Sequence, residues 1–206
     1  MIRNIAKFVV ILTLVCTAMG GGVAVLYGYF QGRIALRERA AMEEAIRAVV
    51  PEGATVDADH PLAGTAADGT AVYGAAAPAG GAAVAWVAGG QATGYSSTVK
   101  VMVGATRDGD TLKVLRVVVL AQSETPGLGA TVAETRSTYT LWQKLFGSDR
   151  PEEVFNPFLA RFEHRAADEV KDVQAITAAT ITSNATKAAV EQALGRIRQV
   201  LKGPHE

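Results

Sequence analysis

Residues 98–122 read TVKVMVGATRDGDTLKVLRVVVLAQ, and their pattern predicts a β-hairpin. Residues 98–105 alternate polar and apolar side chains, the pattern of a strand with one buried face. Residues 107–110 read RDGD, with Asp-Gly at the centre, which favours a tight hairpin turn. The chain returns as a second strand over residues 111–122, whose fully apolar end at 117–120 predicts burial on both faces.

Helices are predicted toward the carboxyl end of the chain. A terminal helix over residues 183–202 is predicted because apolar side chains recur at helical spacing: Val190, Leu194, Ile197 and Leu201. Another helix is predicted over residues 133–146. Residues 155–170 are expected to be irregular or weakly helical, since two nearby prolines disfavour one long helix.

The order of the elements fixes the fold class. Residues 62–94 are rich in alanine and glycine, and short strands joined by glycine turns are expected there. Strands precede helices and no βαβ pattern repeats. The sequence therefore predicts an α+β (mixed α/β) fold with a largely antiparallel sheet flanked by helices.

The N-terminal segment has the length of a membrane span. Residues 8–30 carry no charge over 23 positions, roughly 34 Å of helix against a hydrocarbon core of ~30 Å. A cleaved signal peptide and a lipoprotein site at Cys16 are the alternatives. An uncleaved anchor is favoured because the apolar run exceeds the ~7–15 residues of a signal-peptide core. The charges flanking the run do not settle its orientation.

Three parts of the chain follow from these patterns. Residues 1–31 are predicted to be the transmembrane anchor, residues 32–53 an amphipathic juxtamembrane helix with Pro51 and Gly53 as its stop signals, and residues 54–206 the folded domain.

Composition excludes several classes of protein. Twenty basic residues balance 20 acidic ones, which gives no electrostatic basis for binding nucleic acid. One cysteine and three histidines argue against a disulfide framework and against a metal site. A glycine-rich nicotinamide motif and a hydrolase nucleophile motif are both missing from the sequence, so no catalytic residue is predicted.

Two loops are harder to explain by packing alone. Residues 122–130 read QSETPGLGA and follow the most apolar strand. They are either a tight strand-to-helix connection or a place where glycines let a flat ligand approach the backbone, with Leu128 packing on it and Glu124 and Thr125 in polar contact. Residues 176–183 read ITAATITS and lead into the terminal helix, where Thr182 or Ser183 is expected to cap the helix. The remaining hydroxyl groups indicate an anion site, the alternative being ordinary capping.

The two loops together resemble the FMN-binding domain of RnfG, the G subunit of the Rnf electron-transport complex, and NqrC of the sodium-pumping NADH:quinone reductase is similar. The family carries the ETPGLG signature of residues 124–129 and, about fifty residues later, a Gly-Ala-Thr motif whose threonine is esterified to the phosphate of FMN. That threonine corresponds to Thr180. Two positions depart from the family pattern: its glycine is Ala178 here, and its aspartate is Gln174.

The resemblance implies a covalent FMN on Thr180. It places the cofactor between two groups of residues: Thr177, Ala178, Ala179, Ile181 and Thr182 in one loop, and Glu124, Thr125, Gly127, Leu128 and Gly129 in the other. Ala178 would be strained if its position needs a positive φ. Threonine is a poor nucleophile and no histidine adjoins it, so a separate flavin transferase is expected to attach the cofactor.

The resemblance also implies partners and a location. The chain would be a single-pass subunit in the bacterial inner membrane, with its FMN domain on the periplasmic side, among the other membrane and peripheral subunits of an ion-translocating complex that links ferredoxin and NAD. It is not expected to be catalytic alone. The alternatives are a scaffold subunit that has lost its flavin, an NqrC-like subunit, and a freestanding anchored flavoprotein.

Overall fold

The computed structural model describes residues 2–56, 64–76, 83–137 and 154–202. The chain divides into two compact units, residues 1–42 and 43–206.

Helix α1 spans Ile2–Val49 without interruption. It contains a window of mean hydropathy 2.3, none of which is buried, and it is long and apolar enough to cross a bilayer. The helix ends just before Pro51, the first proline in the chain, because proline lacks an amide hydrogen and clashes with the preceding turn. The juxtamembrane segment is thus continuous with the apolar helix, and the division into residues 1–31 and 32–53 stays a prediction.

An antiparallel sheet of six strands forms the second unit. Its strands are β1 (Thr55–Val56), β2 (Gly64–Thr65), β3 (Ala71–Ala76), β4 (Ala83–Thr93), β5 (Thr98–Asp108) and β6 (Thr111–Ala121). They lie in the order β1-β3-β4-β5-β6, with β2 also paired to β3. The other described elements are a two-stranded sheet of β7 (Arg136–Ser137) and β8 (Val154–Phe155), three 3-10 turns (Gly129–Ala133, Leu159–Phe162 and Val170–Asp172), and helix α2 (Thr180–Lys202).

The predicted fold class is confirmed by this architecture. The β5–β6 hairpin pairs Asp108 with Thr111, and Gly109 in the turn has φ +63°, as its Asp-Gly sequence predicts. The apolar end of β6 contributes to both faces of the sheet, since Val117 belongs to one buried cluster while Val118 and Leu120 pack against another.

Helix α2 covers one face of the sheet. Its buried stripe, which includes Val190, Leu194 and Ile197, packs with Val101 and Val103 of β5. At Gly90 the helix backbone approaches so closely that a Cβ atom would overlap the carbonyl group of Ala189. Glycine at this point of β4 therefore fixes where α2 crosses the sheet.

The last turn of α1 packs on the other face. Ala45, Ile46 and Val49 are buried with Val87 and Met102 of the sheet. Within the segment predicted to be an amphipathic helix, Ile46 and Val49 are thus buried, whereas Ile34 and Met42 are exposed. The sheet is therefore covered on both sides within residues 43–206.

Two helix predictions need correction. The helix predicted over residues 133–146 is wrong at its start, because Arg136–Ser137 is a strand that pairs with Val154–Phe155, and residues 138–153 lie outside the described part of the chain. The terminal helix begins at Thr180, three residues before the predicted start. Residues 155–170 contain a 3-10 turn and irregular chain, as predicted, but Phe155 ends a strand that was not predicted.

Candidate functional site

The ETPGLG loop turns back on itself directly after β6. Gly127 has φ +73°, a left-handed conformation that glycine adopts without strain. The amide groups of Leu128 and Ala130 both donate to the carbonyl oxygen of Thr125, at 3.2 and 3.1 Å. The turn leaves the Leu128 side chain 47% exposed and buries Gly129.

The second loop enters α2 through a strained residue. Ala178 has φ +66°, where the Cβ atom of an L-residue is crowded by its own backbone. The sequence prediction of strain at this position depended on a positive φ, which the structure has. The chain then turns into the helix, whose first backbone bond runs from the Ser183 amide to the Ala179 carbonyl oxygen at 2.9 Å.

The capping prediction is wrong. Ser183 Oγ accepts a 3.0 Å hydrogen bond from the Ile176 amide, which lies in the preceding loop, and the Thr182 hydroxyl donates to Glu124. Neither hydroxyl group reaches back to an amide of the first helical turn. The amides of Thr180 and Ile181 are therefore left at the positive end of α2 without an acceptor inside the helix.

Glu124 holds the two loops together from a buried position. Its side chain is 6% exposed and accepts five hydrogen bonds. Oε1 accepts from the amides of Ser96 and Ser97 at 3.1 and 2.8 Å and from the Ser97 hydroxyl at 2.9 Å. Oε2 accepts from the Tyr95 amide at 3.2 Å and from the Thr182 hydroxyl at 2.8 Å.

These hydrogen bonds keep the carboxyl group ionised. Burial raises the pKa of Glu124, but the hydrogen bonds, led by those of the Thr182 and Ser97 hydroxyls, outweigh burial and hold the pKa below its usual value of 4.5. Glu124 therefore carries a buried negative charge at neutral pH.

Two glycines make room for this carboxylate. A Cβ atom at Gly94 would lie 2.6 Å from Glu124 Oε1, and one at Gly129 would lie 2.7 Å from Oε2 and 2.6 Å from the Thr182 hydroxyl oxygen. The sequence interpretation assigned the glycines of the ETPGLG loop to the close approach of a ligand. At Gly129, the side-chain position is occupied by Glu124 and Thr182 instead.

A cavity of about 370 Å³ opens between the two loops. The residues around it that were predicted from the sequence are Glu124, Thr125, Leu128, Gly129, Ala178, Ala179, Thr180, Ile181 and Thr182. Thr177 and Gly127 do not line it. A volume of this size falls within the ~300–1,000 Å³ of small-molecule sites.

Tyr95 also lines the cavity and was not predicted. It lies in the turn between β4 and β5, with its side chain 72% exposed. Together with Leu128 and Ile181, which is 56% exposed, it gives the cavity an apolar rim. The signal for Tyr95 in the sequence is a single aromatic residue directly after Gly94, and this residue belongs to no periodic pattern.

The chemistry of the cavity suits a flat aromatic ligand with an anionic end. Exposed apolar side chains on three sides can pack on a planar ring, and the positive end of α2 favours a negative group next to Thr180. Among the described residues that line the cavity, none is a lysine, an arginine or a histidine. Backbone amides and hydroxyl groups would therefore be the donors for an anion here.

Comparison with known proteins agrees with this geometry. Residues 94–195 match the model of a family described as the FMN-binding domain. Over this segment the chain is similar to that family. The matched segment begins at Gly94, ends within α2 and contains the whole cavity, including Tyr95, Glu124 and Thr180.

A curated relative is similar over a larger part of the chain. The G subunit of the proton-translocating ferredoxin:NAD(+) oxidoreductase complex of Clostridium ljungdahlii is 28% identical over 131 residues. The alignment covers 59% of this chain and 58% of the relative, so the chain spans less than two thirds of that protein. The family resemblance inferred from the two loops is confirmed by these matches.

Proposed function

We propose that this chain is the membrane-anchored electron-transfer subunit of an Rnf-type complex, with FMN attached through a phosphoester to Thr180. The observation that carries this proposal is the convergence of the two sequence loops on one cavity, inside the segment that matches the FMN-binding domain. FMN, when bound, supplies one- and two-electron redox chemistry.

The rim of the cavity supports the binding of an isoalloxazine ring. Leu128 and Ile181 offer apolar contacts from opposite loops, and Tyr95 offers an aromatic face. All three side chains are partly exposed, so a ring held among them stays open to solvent. A redox partner could then approach the ring directly, as an electron relay requires.

The position of Thr180 supports the attachment. Thr180 is the first residue of α2, it is exposed, and it borders the cavity. A phosphodiester on its hydroxyl group would lie beside the free amides of the first turn, where the helix dipole favours a negative charge. Ile181 and Thr182 would continue away from the phosphate into the helix.

The surroundings of Thr180 support maturation by a separate transferase. The one acidic side chain among the described lining residues, Glu124, has both oxygens occupied by protein donors, and none of those residues is a histidine. No lining residue is therefore placed as a general base. In the reaction that we propose, Thr180 Oγ1 forms a bond to the flavin-side phosphorus of a flavin dinucleotide, the phosphoanhydride bond breaks, the nucleoside monophosphate leaves, and the transferase takes the hydroxyl proton.

Membrane anchoring is supported by α1 and by the relative. The helix is long and apolar enough to span a bilayer, and the similar G subunit belongs by name to a proton-translocating complex. We place the FMN domain on the outer side of the bacterial cytoplasmic membrane, with other subunits of the complex as redox partners.

The attachment is tested with two matched variants. The full chain is co-expressed with a flavin transferase, denatured, and inspected in a gel for flavin fluorescence. We expect fluorescence in the wild type and in Thr177→Val, and none in Thr180→Val, because Thr177 is also an exposed threonine in the same loop but does not line the cavity. Mass spectrometry of peptide 172–187 should locate the added FMN.

Other outcomes would select a different function. A colourless wild-type chain, made with an active transferase, would contradict the flavin carrier and favour the scaffold subunit. Flavin that survives denaturation in Thr180→Val would refute the assigned attachment site. Purification from the native membrane should recover polytopic subunits with the chain, and recovery of the chain by itself would favour a freestanding flavoprotein.

A further inference from the structure

We infer that Glu124 is a positioning residue, a buried carboxylate that sets the distance between the Tyr95 side and the Thr180 side of the cavity. This inference rests on the proposed function, because it concerns the same cavity. It assigns Glu124 a task other than the polar contact with the cofactor that the sequence suggested.

The first step in the argument is that Glu124 has no capacity left for a ligand. A carboxylate offers about four lone-pair positions. Five protein donors occupy them at 2.8 to 3.2 Å. The Glu124 side chain is also 6% exposed although it borders an open cavity. A cofactor in the cavity would therefore meet other residues first.

The second step is that the five donors come from segments far apart in the sequence. The amides of residues 95–97 belong to the turn after β4, and they lie 27 to 29 residues before Glu124. Thr182 lies 58 residues after it, in α2. The Ser97 hydroxyl, which donates to Glu124, also accepts from the Ser123 amide at 2.9 Å, so the start of the ETPGLG loop joins the same network.

The third step is that these bonds end at the two sides of the cavity. The Tyr95 amide is bound directly, so the carboxylate fixes the backbone that carries the aromatic ring. Thr182 lies two residues after Thr180, in the same helical turn. The carboxylate is the shared acceptor for both sides, and its loss would leave each side to move independently.

The fourth step is that the surrounding chain is shaped for this carboxylate. Gly94 and Gly129 flank it from opposite sides, and a Cβ atom at either position would lie within 2.7 Å of a carboxylate oxygen. Two glycines from separate loops thus leave space for one side chain. A role confined to closing the ETPGLG loop would not require room at Gly94.

The test compares four variants of the full chain in detergent micelles: Glu124→Gln, Thr182→Val, Thr182→Ser and, as the matched control, Thr186→Val. Thr186 is also a buried threonine of α2, one turn further on, and its hydroxyl donates to the Thr182 carbonyl oxygen at 2.9 Å and not to Glu124. Amide hydrogen exchange is measured on the flavin-free protein, in segments 94–98 and 178–184.

We expect exchange to speed up about tenfold in both segments in Glu124→Gln, as for the loss of a hydrogen bond to a charged group. Thr182→Val should do the same in segment 178–184, Thr182→Ser should restore the wild-type rate there, and Thr186→Val should leave both segments unchanged. If Glu124→Gln does not fold, Thr182→Val and Thr182→Ser still decide the question.

The second measurement uses the flavin-loaded protein. The visible circular dichroism of the flavin should fall in Glu124→Gln and Thr182→Val and be kept in Thr182→Ser and Thr186→Val, because a merely destabilising change would not alter the environment of flavin in folded protein. Wild-type exchange rates in Glu124→Gln, or equal effects of Thr182→Val and Thr186→Val, would overturn the inference. A wild type without flavin would refute the proposed function, while the exchange rates of the flavin-free chain would still judge the inference.

Discussion

The hydroxyl group of Thr182 donates a 2.8 Å hydrogen bond to Oε2 of Glu124, 58 residues earlier in the chain. Both partners are buried, and this bond joins the ETPGLG loop to the first turn of α2. It explains why a threonine in the first turn of the helix does not cap it. Hydrogen bonds to charged groups contribute more to stability than neutral ones, and breaking this one would leave a buried carboxylate short of a donor.

The first prediction concerns the space beside this bond. Gly129→Ala should lower the free energy of unfolding by about 1–3 kcal/mol, because the new methyl group would lie 2.6 Å from the Thr182 hydroxyl oxygen. Denaturant unfolding of the full chain in micelles measures the change. The control is Gly195→Ala in α2, where nothing lies within 4 Å and helix propensity predicts a gain of about 1 kcal/mol. A Gly129→Ala variant as stable as the wild type would contradict the packing described here.

The second prediction concerns acid. Because the folded pKa of Glu124 lies below its usual value of 4.5, ionised Glu124 stabilises the fold fully above that value, and the contribution is lost as the pH falls through the folded pKa. The hydroxyl and amide groups that bond to the carboxylate do not titrate in this range. The melting temperature of the wild type should therefore fall below pH 4.5 more steeply than that of Glu124→Gln. Parallel pH profiles in the two proteins would show that Glu124 is not the group responsible.

The secondary-structure elements that depend on neighbouring residues could be predicted from the sequence. The β5–β6 hairpin follows from alternation and an Asp-Gly turn, both local signals, and α2 follows from the spacing of Val190, Leu194 and Ile197. The start of α2 was missed because residues 180–182 read Thr-Ile-Thr, which is poor helix sequence. Tertiary contacts, including that of Thr182 with Glu124, hold this turn in the helix.

Non-local pairing explains the other differences. Nothing between residues 133 and 137 breaks a helix, yet Arg136 and Ser137 pair with a strand that begins at Val154. Tyr95 stands outside any pattern, and only the return of β4 into β5 brings it to the cavity. The two loops of the site, with Glu124 among their residues, were found from their unusual composition. The role of the Glu124 carboxylate in joining them was not, since its partners are scattered along the chain from Tyr95 to Thr182.

The third prediction concerns Tyr95 and rests on the proposed flavin. A tyrosine in contact with an isoalloxazine ring quenches its fluorescence by donating an electron, whereas phenylalanine keeps the ring shape and is a poor donor. Tyr95→Phe should therefore raise flavin fluorescence several-fold and keep the amount of flavin bound per chain. Fluorescence lifetimes of the loaded protein measure this. An unchanged lifetime would mean that the exposed Tyr95 ring does not touch the flavin.

The last prediction concerns the strained residue before α2. Ala178 has φ +66°, which costs a residue with a Cβ atom roughly 1–2 kcal/mol, while glycine at the same place adds about 0.4–1 kcal/mol of unfolded-state entropy. Ala178→Gly should therefore raise the free energy of unfolding by about 0.5–1 kcal/mol. Ala188→Gly, in an exposed position within α2, should lower it by about 1 kcal/mol, because glycine is a poor helix former. Denaturant unfolding of both full-length variants gives the two signs. A relaxed backbone at residue 178 would also make Thr180 easier to present to a transferase, so the glycine variant should load at least as much flavin as the wild type. Losses in both stability and flavin loading would show that the left-handed turn is not the source of strain.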